Sequence, residues 1–380
     1  MVHRPRRATL RSSQRRLLLP LILLAAAGLV AGACSSTTND PSGGSGGADG
    51  TVPPAADVDY ESLSGTLNGS GATFPKAFYE EAIAEFSGGI APDVVVNYGG
   101  GGSGKGKTDL ADQVVQWAGT DSLVKDEDKA NFKGGEFLYF PTVAAPITVS
   151  YNLEGVSELQ LSPDTLAGIF QGDITTWDAA EVKADNPDAT LPSTPITVVH
   201  RSDGSGTTSN FTKYLVAAAP DTWTLESGDT VNWPTTTQAG NGNNGVAQIV
   251  TQTPGAIGYV DLSDAKASGL SFASIENKDG EFVAPTLEGA SAALAGAEIK
   301  PDLTYSALNA PGADAYPITA STYVLVYKVQ PDQATGEALK GWISYLLTDA
   351  QSLAAEVDFA KLPDGMRDKA IAQLDELEIG

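Results

Sequence analysis

Apolar positions along the chain follow two rhythms. Short β-branched or aromatic runs read as buried strands: VVVNY from Val94, the stretch from Ile196 to His200, and TYVLVYK from Thr322 to Lys328. Between them the spacing turns helical. Phe78, Ala82 and Phe86 recur on one face after a glycine-rich loop, with Thr73 placed as a helix cap and Pro75 suited to the first turn. Phe211, Tyr214 and Leu215 mark the inner face of a helix starting near Ser205. Strands alternating with helical runs predict an α/β fold with parallel sheets. The body of about 320 residues from Tyr60 exceeds what one core usually supports, so two domains are expected.

The N-terminal pattern differs. Residues 1–16 carry six arginines and no acid, and an apolar run from Leu17 to Val30 ends in Ala31-Gly32-Ala33-Cys34. A basic start, a short apolar run and small residues before a cysteine predict a signal peptide over 1–33. The run is too short to span a bilayer comfortably. Cys34 is the only cysteine in the chain. Its position reads as a lipidation site that becomes the mature N-terminus, although lipoboxes usually have Leu where this chain has Ala31. Residues 34–59, rich in Ser, Thr, Gly and Pro, form a flexible tether with little to bury. It would span roughly 25–30 Å on average. A G-x-S-x-G match at Gly43, Ser45 and Gly47 falls inside this tether, with no strand or helix to support it.

Charge narrows the function. The formal net charge is −24, and removing the six arginines leaves 17 bases against 47 acids. That balance argues against nucleic-acid binding. An anionic ligand would have to be met by local dipoles against the overall field. His200 is the only histidine left after export, which disfavours a zinc site or a Ser-His-Asp triad.

Three stretches share one grammar of glycine, hydroxyl residue and helical run: GSGATFPKAFYEEAIAEF, GGGGSGKGKTDLADQVVQW and HRSDGSGTTSNFTKYL. Each offers free N–H groups and the positive end of a helix dipole, a ready anion site. Arg201 in the third can give two parallel N–H bonds to an oxyanion. Asp203 could hold that guanidinium, or serve as a plain turn residue. The second stretch also satisfies the P-loop pattern, from Gly101 to Thr108. Against a nucleotide site stand the export signal, the upstream glycine run and the absence of a convincing strand ending in a magnesium-binding aspartate. The loose candidate, AIGYVD from Ala256 to Asp261, contains a glycine.

Taken in order, NGSGATFPKAFY, VNYGGGGSGKGKTDLADQVVQWAGTDS, LSPDTLAGIFQGDITTWD, PITVVHRSDGSGTT, VNWP, NGNNGVAQIVTQTPGAIGYVD and YPITASTYVLVYK resemble the phosphate-binding protein family of the high-affinity phosphate ABC transporter. The resemblance covers nearly all of the body, from Leu63 to Asp364. It implies a two-lobe, periplasmic-binding-protein-like α/β fold of type II with the ligand in the inter-domain cleft. Lobe I would take residues 60–151 and 318–380, and lobe II residues 152–317. Hinges would lie near Ser150–Asn152 and Pro317–Ala320.

Carried over position by position, the resemblance implies a phosphate site. Thr73 and Phe74 would give N–H groups, Ser103 a hydroxyl and N–H, and Arg201 two bonds supported by Asp203. Ser205, Gly206 and Thr207 would form a helix N-terminus, and Asp121 would accept a bond from the protonated anion. It further implies a lipid-anchored, extracytoplasmic receptor whose partners are inorganic phosphate and the permease and ATPase subunits of an importer. No catalytic residue, cofactor or metal is expected. An exported phosphoesterase or nucleotidase using the glycine loops, or a receptor for another tetrahedral oxyanion, are the alternatives. Lys105 and Lys107 stand where the family commonly has small residues. They read as solvated flanks, or as positive potential at the cleft mouth. Nothing is carried onto the Ala-, Glu- and Gly-rich segment from about Leu270 to Leu308.

Overall fold

The computed structural model describes residues 58–380. The signal, Cys34 and nearly all of the tether lie outside the described residues. The body is built on a nine-stranded sheet: β1 (Gly65–Gly71), β2 (Val94–Gly100), β3 (Trp117–Thr120), β4 (Phe137–Tyr151), β5 (Thr197–Arg201), β6 (Gln238–Gly240), β7 (Ala256–Asp261), β8 (Ser271–Phe272) and β9 (Thr319–Tyr327). The order across the sheet is β2-β1-β3-β9-β4-β7-β5-β6, with β8 also paired to β4.

Two parallel groups, β2-β1-β3 and β7-β5-β6, are joined through antiparallel β9 and β4. The joining strands are the most apolar, FLYFPTVAAPITVSY and TASTYVLVY, and all but the first residue of β4 is buried. Strands covered on both faces carry near-continuous apolar runs of this kind, interrupted here only by hydroxyl residues. The long β4 serves both groups. Its first part pairs with β9, as far as Pro146 opposite Thr319, and Ile147–Tyr151 pairs with β7. Pro146 has no N–H to give, so it suits the point where the ladder changes partners. Ser150 and Tyr151, expected at a crossover, are instead paired inside this strand.

Helices follow the parallel strands: α1 (Lys76–Glu85) after β1, α2 (Ser103–Ala111) after β2, α3 (Gly206–Ala218) after β5 and α4 (Gly242–Gln252) after β6. Their starts therefore converge beyond the carboxyl ends of the strands, where open α/β sheets bind ligands. Aromatic packing fixes each group. Trp117 stacks on Tyr98 at 4.8 Å and meets Tyr79 edge-on, while Phe211 stacks on Tyr259 at 4.5 Å. Phe78, Ala82 and Phe86 are fully buried, as the helical spacing predicts. The cap of α1 differs from expectation. Pro75 precedes the helix without a side-chain cap, because the Thr73 hydroxyl is used elsewhere.

Gly106 explains part of the glycine run. A Cβ there would lie 2.6 Å from the Gly71 Cα and 2.7 Å from the Ser70 carbonyl oxygen. Helix α2 thus rests on the bare backbone of β1. Gly106→Ala is expected to cost about 1–3 kcal/mol by overpacking, read as a lower urea midpoint at unchanged slope.

Candidate functional site

Ser103 opens α2 and is fully buried. Its Oγ accepts from the N–H of Asp121 and the N–H of Gly206, each at 3.1 Å, and faces Asp121 Oδ2 at 3.4 Å. One hydroxyl therefore joins the two parallel groups of the sheet. Beside it the Gly104 N–H donates to the Gly204 carbonyl at 2.9 Å. Gly102, with φ of 89°, permits this approach; a Cβ there would sit 2.2 Å from Asp203 Oδ2.

Arg201 ends β5 and is 4% exposed. Its Nε donates to Asp203 Oδ1 at 2.8 Å and its Nη2 to Asp203 Oδ2, so the carboxylate grips one edge of the guanidinium. Of the two roles open to Asp203, it takes that of the guanidinium's partner. Its charge is stabilised further by the Gly242 N–H; burial raises its proton affinity, but Arg201 and this N–H outweigh that and hold the carboxyl below its usual range. Nη1 donates to Asn243 Oδ1 at 2.5 Å and lies 3.4 Å from Thr207 Oγ1.

Asp121 follows β3 and is also 4% exposed. Its Oδ1 is buried without a hydrogen-bond partner among the described residues. Its own carbonyl is held by Asn210 Nδ2 at 2.6 Å. Burial pushes the carboxyl up to about 7; the Thr322 hydroxyl and the Arg201 charge pull against this, and the Asp229 charge adds to it. A carboxyl so poised can accept or donate a proton near neutrality.

The other expected residues converge on the same place. Thr73 Oγ1 accepts the Asn243 N–H at 3.2 Å. Phe74 is buried, its ring edge-on to Phe359. Ser205 caps α3 through the Thr208 N–H, and its own N–H donates to the Asp229 carbonyl at 2.9 Å. The Gly206 N–H is taken by Ser103. Among the described residues the backbone N–H groups of Thr73, Phe74, Ser103 and Thr207 make no hydrogen bond, which leaves a cluster of donors at the helix starts.

The sequence reading missed three participants, Asn243, Asp261 and Asp229, and left the role of a fourth, Lys107, open. Asn243 and Asp261 form a buried pair behind Arg201, with Asn243 Nδ2 donating to Asp261 Oδ2 at 2.7 Å. The signal was present: NGNNG after a short strand repeats the turn-then-helix grammar. Lys107 and Asp229 form an ion pair at 2.7 Å across the seam, and Lys107 also reaches Ser122 Oγ at 2.9 Å. Lys105, by contrast, is exposed and pairs along its own helix with Asp109. His200 stacks on Trp233 at 4.9 Å and faces the Arg201 carbonyl through Nδ1. Among the described residues no group of three or more His, Cys, Asp or Glu could hold a metal ion, and no helix is long and apolar enough to cross a membrane.

Residues 53–350 match the PBP superfamily domain. The phosphate-binding protein PstS of Methanocaldococcus jannaschii is 38% identical over 309 residues, 74% of this chain and 78% of that protein. The phosphate-binding protein PstS of Pasteurella multocida is 33% identical, covering 81% of this chain and 89% of its own. A high-affinity periplasmic phosphate-binding protein (PfluDING) bound with phosphate superposes with a TM-score of 0.70 at 22% identity, covering 83% of this chain and 96% of its own. The last likeness speaks for the two-lobe fold.

The carboxyl of Asp121 has a thermodynamic consequence. Folded, it holds its proton to about 7; unfolded, it releases near 3.8. The folded state binds more protons between these values, so stability falls as pH rises through the window and levels above it. The full span is on the order of 4 kcal/mol. Asp121→Asn should remove this contribution. In phosphate-free urea titrations from pH 4 to 8, the variant's advantage over wild type should grow with pH; parallel curves would exclude the shift.

Proposed function

We propose a function from one premise: the chain belongs to the PBP superfamily and, within it, to the PstS family of phosphate-binding proteins. It is a solute-binding receptor that captures inorganic phosphate between two lobes and delivers it to an ABC-type importer. The observation that carries this reading is the pairing of a ring of donors with a single unpartnered acceptor. The donors are Arg201 and the N–H groups of Thr73, Phe74, Ser103 and Thr207; the acceptor is Asp121 Oδ1.

That combination fits a protonated oxyanion. Near neutral pH phosphate keeps at least one proton, which Asp121 can accept in a hydrogen bond. Sulfate has none, so against it the ionised Asp121 carboxylate stands unmatched and close to a second negative charge. An unsatisfied buried polar group costs about 1–3 kcal/mol, and more when charged. Selectivity of several kcal/mol follows from a repulsive element built into an otherwise attractive pocket.

The P-loop resemblance of Gly101–Thr108 has a different use here. Lys107, the lysine of that pattern, is committed to Asp229 and Ser122, and the Thr108 hydroxyl donates to the Gly104 carbonyl of its own helix. Neither is left for a nucleotide phosphate or its magnesium ion. The loop serves a free anion, and the alternative of a nucleotidase finds no support in these contacts.

In this reading lobe I comprises residues 60–146 and 319–380, and lobe II residues 147–318. The chain passes between them along β4 at Pro146 and on entering β9, the first crossing earlier than the 151/152 boundary expected from sequence. Closure bends these two connections. Cleavage after residue 33, lipidation of Cys34 and the 34–59 tether would hold the receptor outside the cytoplasmic membrane, within reach of the permease.

Calorimetric titration of the ligand-stripped protein tests the function. Phosphate should bind one to one, with sulfate and Mg-ATP binding far more weakly. Asp121→Asn should shrink the phosphate-over-sulfate ratio at least tenfold while weakening phosphate less than that. Unchanged selectivity would remove Asp121 from the filter, and tight Mg-ATP binding with weak phosphate binding would overturn the receptor reading.

A further inference from the structure

We propose that Asn243 and Asp261 are positioning residues for Arg201: Asp261 fixes the sense of the Asn243 amide, and that amide holds the guanidinium in the pose that grips phosphate. The inference rests on the reading that Arg201 binds the anion, and it adds residues to which no role in binding has so far been given.

The argument starts from what a guanidinium can do. It has five N–H donors and no acceptor. Asp203 occupies the edge formed by Nε and Nη2. A carboxylate on one edge still lets the group rock about that contact. Asn243 Oδ1, at 2.5 Å from Nη1, supplies the second point that stops it. One N–H on Nη2 and one on Nη1 then remain for a ligand, the latter only loosely engaged by Thr207 at 3.4 Å.

An amide has two faces of opposite character, and only its oxygen can serve Arg201. Its nitrogen must then find an acceptor, and Asp261 Oδ2 provides one at 2.7 Å. Asp261 Oδ1 is in turn fixed by the Asp264 N–H at 2.9 Å, at the start of α5 (Leu262–Ala267). With Asp261 as the carboxylate, every bond in this relay has a forced direction; burial and the Asp264 charge raise its proton affinity, and the N–H donors of Asp264 and Asn243 oppose that. Asn243 is fully buried and Asp261 is 1% exposed, so water cannot stand in for a lost partner. Asn243 also reaches across the cleft, its N–H occupying a lone pair of Thr73 Oγ1. The Thr73 hydroxyl proton is thereby turned toward other acceptors. A simple helix cap accounts for Asp261 Oδ1 but not for Oδ2.

Variants that exchange amide and carboxylate separate these roles. In Asp261→Asn the cap survives, since Asn caps as well as Asp. The new amide nitrogen, however, invites Asn243 to present its oxygen to residue 261 and its NH2 to Arg201, donor against donor. Phosphate Kd should rise at least tenfold. Asn243→Asp, which sets a second carboxylate against Asp261, should raise it similarly. The double variant N243D/D261N restores every bond, with only the one between residues 243 and 261 reversed in direction, and its Kd should return to within about threefold of wild type.

Kd is measured by calorimetry beside Arg201→Ala, with phosphate-free melting curves to establish that each protein is folded. Wild-type affinity in D261N, or a double variant no better than its weaker parent, would overturn the proposal. If a single variant does not fold, the double variant decides alone, tenfold weakening being the adverse result. Failure of wild type to bind phosphate would sink the receptor reading itself. Binding lost in Arg201→Ala but kept in both single variants would sink only this inference.

Discussion

Arg201 carries a positive charge almost sealed from solvent, and an uncompensated buried charge would cost the fold several kcal/mol. Much of the cleft can be understood as the answer to that constraint. Asp203 neutralises one edge, Asn243 ties down the other, and Asp261 behind Asn243 directs the amide. The cation is thus held in place by groups that stop short of saturating it. The remaining valence is directed at the space shared with Asp121, the Thr73 loop and the start of α3. In a chain with a net charge of −24, attraction for an anion has to be local in this way.

The sheet supplies the geometry that makes a local solution possible. Because β1, β2, β5 and β6 run parallel within their groups, each ends near the cleft and each is followed by a helix whose first N–H groups have no internal partner. The antiparallel β4 and β9 place the two groups side by side. Four dipole ends and one guanidinium meet there, while the apolar faces of the same helices are spent on the two cores. Binding chemistry and packing use opposite ends of the same elements.

Much of this was legible in the sequence, for reasons that can be named. The strands VVVNY and TYVLVYK announce themselves by composition, and the helix faces of Phe78, Ala82 and Phe86 by spacing. The three glycine-hydroxyl loops carry a local grammar that survives without knowledge of what lies opposite. What escaped depends on neighbours distant in the chain. Lys107 reads as a solvated flank, or as potential at the cleft mouth, until Asp229, distant in the chain, is brought against it. Thr73 has the chemistry of a cap, and only the arrival of Asn243 shows that its hydroxyl is engaged there. Asp261 reads as the end of a strand, and nothing local marks it as lying behind an arginine sixty residues earlier in the chain. The span of β4 across both halves was likewise hidden, since a continuous apolar run does not say where its partners change.

The seam between the two halves is notable for its polar character. At its centre are two glycine backbones, the Ser103 hydroxyl, one lysine–aspartate pair, and the bonds from Asn243 to Thr73 and from Asn210 to the Asp121 carbonyl, all of them polar contacts. A seam of this composition has little hydrophobic free energy of its own to keep it shut. The shut shape is therefore cheap to leave and depends heavily on whatever charge lies between Arg201 and the loop of Ser103. Any partner that grips both halves at once would read occupancy directly from shape, without needing to touch the anion. Thin contacts in this place make the protein a faithful messenger.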